Sequence, residues 1–285
     1  MKILLLDRLW NASPKGLAHF LFPGYFYNRR LMNAELPYEA DEKELKRLKS
    51  LPRYTLTTTR FLGKEIEIVD VDSYFAMCGE IFMRWNYEFE AAKNDPLIID
   101  CGANIGLSII FFKKLYPESK IIAFEADEKV FNTLRKNVAS FGFENVELHN
   151  KAVWSSETEL SFFAEGSWGG RIPKPGDTEN IVKVHTVRLK DYLNQKIDFL
   201  KMDVEGAETE VLRDCMAELV NVEQLFVEYH AHITERQTLQ DILSIMQGAG
   251  FRYHIKEASP RTMPFIERRL YGMDSQLDIF AYRLR

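Results

Sequence analysis

Residues 97–106 read LIIDCGANIG, an apolar run closed by an acid and then by two glycines, Gly102 and Gly106, that bracket Ala103, Asn104 and Ile105. Leu97, Ile98 and Ile99 have the unbroken apolarity of a strand covered on both faces, as in a parallel sheet. The run that follows, LSIIFFKKLY, reads as a buried helix. Strand, glycine turn and helix make the opening half of a nucleotide-type βαβ unit. That commits the chain to an α/β fold with a ligand site at a strand end.

From Leu97 onward the alternation continues. KIIAFEA reads as a second strand, and DEKVFNTLRKNVASFG as a helix capped by Asp127 and closed by Gly142. NVELHN, KIDFLKMDV and EQLFVEYH read as the third, fourth and fifth core strands. Helices are expected over 207–219 and 234–249, and FRYHIK and LDIFAYRL are the last strands. This order predicts a doubly wound α/β domain over 95–285 with an extra strand at its end. Between the third and fourth strands lie short extended pieces and a loop, GSWGGRIPKPGDTEN, long enough for a lid. Residues 1–94 read as an α+β extension. It holds a short helix over 41–51 stopped by Pro52, a β-hairpin about Gly63 and a helical stretch over 73–91.

The 285 residues carry a formal charge of −5, so no global field draws nucleic acid, and nucleic acid is not an expected partner. Cys78, Cys101 and Cys215 are odd in number and far apart, which points to the cytoplasm and to no disulfide framework. The start, MKILLLDRLW, is too short for a signal peptide or a membrane span. The aromatic stretch over 16–30 suits a membrane interface. It suits better an extension packed on the domain or on a second copy of the chain, as in a homo-oligomer.

The turn itself narrows the ligand. No Gly-Lys-Ser/Thr follows it, so it is not a triphosphate loop. Asn104 stands where a dinucleotide fingerprint needs its middle glycine, and a side chain there obstructs a pyrophosphate. Asp100 at the strand end opposes a diphosphate and suits a cationic ligand. Glu125 ends the second strand, where a carboxylate takes both hydroxyls of an adenosine ribose. S-adenosylmethionine fits such a site, with a positive sulfonium and ammonium, a ribose diol and no pyrophosphate.

Five segments in this order, IDCGANIGLSIIFF, AFEADEKVFNTLRKN, NKAVWSS, LKMDVEGAETEVL and LDIFAYR, resemble the FkbM-type S-adenosylmethionine-dependent methyltransferases. The resemblance covers roughly residues 97–285. It implies a Rossmann-like class I methyltransferase sheet of seven strands, the last antiparallel, and O-methyl transfer to hydroxyl groups. It also implies that Asn150 and Ala152 belong to the adenine pocket, and that Asp203 and Glu205 lie beside the methyl donor. Ala126 stands where such proteins often carry proline. With it the expected cofactor-binding set is Asp100, Gly102, Ala103, Asn104, Gly106, Glu125, Ala126, Asn150, Ala152 and Asp203. The first 70 residues match no pattern of the family.

Methyl transfer requires alignment, exclusion of water and removal of a hydroxyl proton. Glu228 and His230 share one face of the fifth strand by their spacing of two, and His232 continues it. A neutral His230 suits a general base, with Asp203 and Glu205 as its catalytic companions. A divalent metal held by Asp203, Glu228 and His230 would acidify the hydroxyl instead, and is the less favoured form. His232 reads as a loop histidine bonded to backbone. In the long loop, Trp168, Gly169, Gly170 and Arg171 suit a sugar or an anionic acceptor, and Glu228 joins them as a substrate candidate. The expected acceptor is a saccharide or polyketide-like hydroxyl. A nicotinamide-dependent oxidoreductase and a non-catalytic adenosine-binding module are the competing readings.

Overall fold

The computed structural model describes residues 42–284, apart from 175 and 269–271; the stretch at 16–30 lies outside the described residues. Helix α1 (Glu42–Lys49) buries Leu48, and its Arg47 bonds both Glu44 and the carbonyl of Thr58. Strands β1 (Thr57–Phe61) and β2 (Lys64–Ile68) form the expected antiparallel hairpin. Leu62 and Gly63 turn it with φ of 50° and 79°, the left-handed pair that a tight hairpin needs. Phe61, Ile66 and Ile68 face inward.

Helix α2 (Val71–Cys78) starts at Asp70, whose carboxylate accepts from the Ser73 N–H. Here the structure departs from the sequence reading. The helix widens into a π-helical turn, Gly79–Met83, and ends, and Trp85 turns left-handed at φ 60°. The next residues leave the helix to bury aromatics on the sheet. Phe89 stacks on Phe199 at 4.6 Å, and Tyr87 meets Phe226 edge-on at 5.0 Å. Such burial outweighs the weak helix propensity of an aromatic-rich stretch.

Strand β3 (Leu97–Cys101), helix α3 (Leu107–Leu115), strand β4 (Lys120–Phe124), helix α4 (Glu128–Phe141) and strand β5 (Val146–His149) follow the expected alternation. Asp127 and Gly142 cap α4 as read from the sequence. Strands β6 (Ala152–Trp154), β7 (Glu159–Phe163) and β8 (Ile181–Arg188) make a separate three-stranded sheet in the order β6-β8-β7. The chain then re-enters the main sheet as β9 (Phe199–Met202). It continues through α5 (Glu208–Asp214), β10 (Gln224–His232), α6 (Leu239–Gly248), β11 (Arg252–Glu257) and β12 (Met273–Tyr282). Helix α5 is shorter than expected, giving way to a 3-10 turn at Glu218–Asn221. Helix α6 starts five residues later than expected, where the Tyr229 hydroxyl accepts the Thr238 N–H.

The main sheet has seven strands in the order β11-β12-β10-β9-β3-β4-β5. Strands β5, β4, β3, β9 and β10 run parallel, and β12 is antiparallel to both of its neighbours. One core lies under α3 and α4 and includes Leu48, Phe61, Tyr74 and Ile81, so the residues before β3 share it. The second core, with Ile99, Leu200, Val211 and Met246, fills the other face under α5 and α6. The order reverses between β3 and β9, and there the strand ends open into a crevice.

Candidate active site

The β3–α3 turn holds Gly102, Asn104 and Gly106 at φ of 86°, 49° and 92°. Gly102 is needed for packing as well as for turning, because a Cβ built there would lie 1.9 Å from the carbonyl oxygen of Asp203. The turn is tied to β4, with Gly102 N–H and Ala103 N–H both donating to the Phe124 carbonyl. Asn104 donates its backbone N–H to Glu125 Oε2 at 3.0 Å and its side-chain amide to the Ser167 carbonyl at 2.9 Å. Glu125 Oε1 accepts the Asp127 N–H at 2.9 Å, so two backbone donors orient this carboxylate. Burial nonetheless pushes Glu125 up to about 7. Asn150 braces the same strand end by donating to the carbonyls of Glu125 and Ala126.

A cavity of about 520 Å³ opens over these elements, within the usual range for small-ligand sites. Gly102, Ala103, Asn104, Glu125, Ala126 and Ala152 line it, as do Phe162 and Val184 of the small sheet. Asp203, Glu205, Glu228 and His230 also line it, joined by Glu80 and Tyr87 from the segment before β3. Asp100, Gly106 and Asn150 are not on the wall. Asp100 does not face a ligand as its place in the sequence suggests. It is fully buried, accepts from Ser108 Oγ at 2.6 Å and pairs with Lys201 at 3.2 Å.

Lys201 is the residue that sequence reasoning missed. Its Nζ donates to the Gly102 carbonyl at 2.8 Å and lies 3.4 Å from Asp203 Oδ2. Burial works against its charge, but Asp100 and Asp203 hold the ammonium well above the usual lysine range. One buried cation thus fixes both the glycine turn and the exit of β9. The signal was present as a lone lysine inside DFLKM, a run whose other positions read as buried strand.

After Asp203 the chain turns sharply, with Glu205 at φ 52° and Gly206 at 100°. The Gly206 N–H donates to Glu208 Oε1, which also sits 3.0 Å from His230 Nδ1. His230 Nε2 lies 3.6 Å from Glu205 and 3.7 Å from Glu228. Burial opposes the imidazolium, yet Glu205 and Glu208 hold His230 well above its ordinary range. The neutral imidazole expected of a general base is therefore not what this site maintains. Glu205 is pushed up to about 7, by burial first, with Asp203 and Glu208 adding to it and His230 opposing. His232 is the neutral one: burial, then Lys174 and His230, push it down to about 4, and its buried Nε2 has no hydrogen-bond partner.

The long loop is latched over the cavity. Ser167 Oγ bonds Ser73 Oγ at 2.7 Å, and the Tyr54 hydroxyl bonds Glu165. Trp168 lines the cavity and is half exposed. Arg171 also lines it, but its guanidinium is taken by Asp177 in a bidentate pair at 2.6 and 3.0 Å. It is not a free anion binder. Asp203, Glu228 and His230 each offer a ligand atom within 4.8 Å of the others, and so do Glu80, Glu228 and Asp278.

A seven-stranded sheet in this order, with its seventh strand antiparallel and its cavity over the glycine turn, is the class I methyltransferase fold. Residues 100–253, more than half of the chain, match the methyltransferase FkbM domain, and the chain belongs to that family. It is 29% identical over 204 residues to methyltransferase sdnD of Sordaria araneosa, covering 52% of this chain and 74% of that one. It is 28% identical over 159 residues to Methyltransferase 1 of Beauveria bassiana (strain ARSEF 2860), covering 47% and 64%. To 2-O-methyltransferase NoeI of Sinorhizobium fredii (strain NBRC 101917 / NGR234) it is 25% identical over 158 residues, covering 48% and 64%. The matches thus span just under two thirds of the length of the latter two relatives. Among solved structures, methyltransferase FkbM from Methylobacillus flagellatus KT aligns with a TM-score of 0.45 at 15% identity. That alignment covers 73% of this chain and 54% of the other. Among the described residues, no helix is long and apolar enough to cross a membrane.

Proposed function

We propose that this chain is an S-adenosylmethionine-dependent O-methyltransferase whose acceptor is a hydroxyl of a saccharide or polyketide-like product. The observation that carries the reading is one cavity lined both by the Glu125 carboxylate at the end of β4 and by the cluster of Asp203, Glu205, Glu228 and His230. The donor set fits the cofactor. Glu125 is oriented by two backbone N–H groups and keeps lone pairs for ribose hydroxyls, and Asp203 is the acceptor for a positive group. Small side chains at Ala103, Ala126 and Ala152 leave room for a purine. Family membership favours methyl over hydride transfer, and the relative named as a 2-O-methyltransferase supports a hydroxyl acceptor.

Bound there, the cofactor supplies an electrophilic methyl group and its own leaving group. The protein aligns the acceptor, excludes water beneath the latched loop and receives the hydroxyl proton. Glu205 is the base in this reading, because a carboxylate raised to about 7 is half ionised at neutral pH and strong enough to take a proton. His230 holds Glu205 and Glu208 in place as a fixed positive charge. Trp168 offers an apolar face to a sugar ring.

The test is calorimetry with S-adenosylmethionine, its demethylated product and NAD, followed by mass spectrometry of a panel of hydroxylated acceptors. Binding of the first two, and a gain of 14 mass units on an acceptor, about one CH₂, is the expected result. Binding of NAD alone would overturn it.

A further inference from the structure

Glu228 on β10 and Asp278 on β12 are direct partners in the antiparallel register, and both are buried. Like charges placed opposite each other on neighbouring strands are destabilising, and burial removes the water that would screen them. Above them the π-helical turn brings in a third acid, Glu80. One carboxylate oxygen from each of the three lies within 4.8 Å of the others.

What surrounds this cluster is short of donors. Asp278 Oδ2 accepts from the Asn86 amide at 2.9 Å, and Glu228 Oε1 accepts from the Gln276 amide. Glu80 Oε1, Asp278 Oδ1 and the Asn86 amide oxygen are buried without a hydrogen-bond partner. Asn86 and Asp278 are 3% and 2% exposed, so these oxygens are cut off from bulk water. The positive charges of Arg84 and Lys201 act on Glu80, and those of Arg84 and Lys256 act on Asp278. Lys256, opposite Asp278 on β11, also lies over the Phe280 ring at 4.5 Å. Arg84 donates to the Ala258 carbonyl.

Three carboxyl groups with two amide donors between them, and three buried oxygens left unpartnered, leave acceptor capacity that a metal cation fills. We propose that Glu80, Glu228 and Asp278 bind one hard divalent cation, of the Mg²⁺, Mn²⁺ or Ca²⁺ type, at the wall of the cavity. An ion bound by oxygens at about 2.1–2.4 Å holds its ligand atoms no more than about 4.2–4.8 Å apart, so oxygens within 4.8 Å of one another are close enough to share one ion. An all-oxygen donor set selects these ions over softer ones. The alternative triad of Asp203, Glu228 and His230 is the weaker site, because Glu205 and Glu208 already engage both nitrogens of His230. Glu80 and Glu228 line the cavity while Asp278 stands behind them, so the ion is reachable from solvent and faces the acceptor.

Chelator-treated full-length protein titrated with Mn²⁺, followed by electron paramagnetic resonance and calorimetry without cofactor or acceptor, is the test. The expected result is one Mn²⁺ per chain, displaced by Mg²⁺ and raising the melting temperature. Affinity should fall at least about tenfold in Glu80→Gln and in Asp278→Asn. Absence of saturable binding would overturn the proposal, as would full-strength binding in Glu80→Gln. A loss confined to Asp203→Asn would also overturn it, by moving the ion to the other triad. Glu80 is on the cavity wall, so Glu80→Gln carries the test if Asp278→Asn does not fold. Because Mn²⁺ is read without cofactor, the outcome is independent of the methyl-transfer reading.

Discussion

His230 presents Nδ1 to Glu208 at 3.0 Å and Nε2 to Glu205 at 3.6 Å, so one buried imidazole spans two carboxylates, one in the turn after β9 and one at the first residue of α5. Both partners stabilise the protonated ring, and that relationship moves the acid–base assignment onto Glu205. Turnover should then rise with pH through about 7 as Glu205 ionises. Glu205→Gln should remove this limb and cost roughly a hundredfold in kcat with cofactor affinity nearly unchanged. A pH–rate profile of both proteins checks it; a wild-type limb that survives in Glu205→Gln assigns the base elsewhere.

Stability should also depend on pH. Glu80 and Glu205 sit near 7 and Asp278 near 6, all raised first by burial, so the folded state keeps protons that the unfolded state releases. More protons bound in the folded state means that stability falls as pH rises from about 4.5 to 7. His230, raised in the folded state, adds stability below its unfolded value near 6.5 that is lost as pH climbs through the folded one. Both contributions run the same way. Melting temperature measured without divalent ions should peak on the acid side of neutrality, and Glu80→Gln should flatten the slope. A maximum above pH 8 would contradict this.

Lys201→Met removes the cation shared by Asp100, Asp203 and the Gly102 carbonyl. Breaking a buried pair in this way costs about 3–5 kcal/mol because a charge is left uncompensated. Urea unfolding should show that loss, and the double variant Asp100→Asn with Lys201→Met should recover part of it. Equal stability of the single variant and wild type would remove Lys201 from its organising role.

Gly102→Ala puts a methyl group 1.9 Å from the Asp203 carbonyl oxygen and forces alanine to φ 86°. Overpacking and left-handed strain together make a loss of about 3 kcal/mol or more. Cofactor binding should fall with it, since the same displacement moves Asp203. Normal folding with normal affinity is the contrary outcome.

Glu125→Gln keeps the shape of the β4 end while weakening an acceptor for ribose. Affinity for S-adenosylmethionine should drop by about 1.5–3 kcal/mol, the range for hydrogen bonds to a charged group. Calorimetry on the folded variant reads this directly, and unchanged affinity would release Glu125 from the cofactor.

The succession of strands and helices along the chain, the glycine turn, the caps Asp127 and Gly142 and the acid at Glu125 were legible in the sequence, because each depends on local spacing or on a backbone conformation that few residues adopt. The end of the helix near Trp85 was not, because Tyr87 and Phe89 leave it for rings on β9 and β10, more than 100 residues away. The states of the charged groups were decided the same way. Asp100 is neutralised by Lys201, Arg171 is taken by Asp177, and His230 is held protonated by Glu205 and Glu208. Residue type and order determine which elements form and which strand ends carry acids. Only folding decides which charges meet and how far they lie from water, and electrostatic energy depends on that distance and burial rather than on position along the chain.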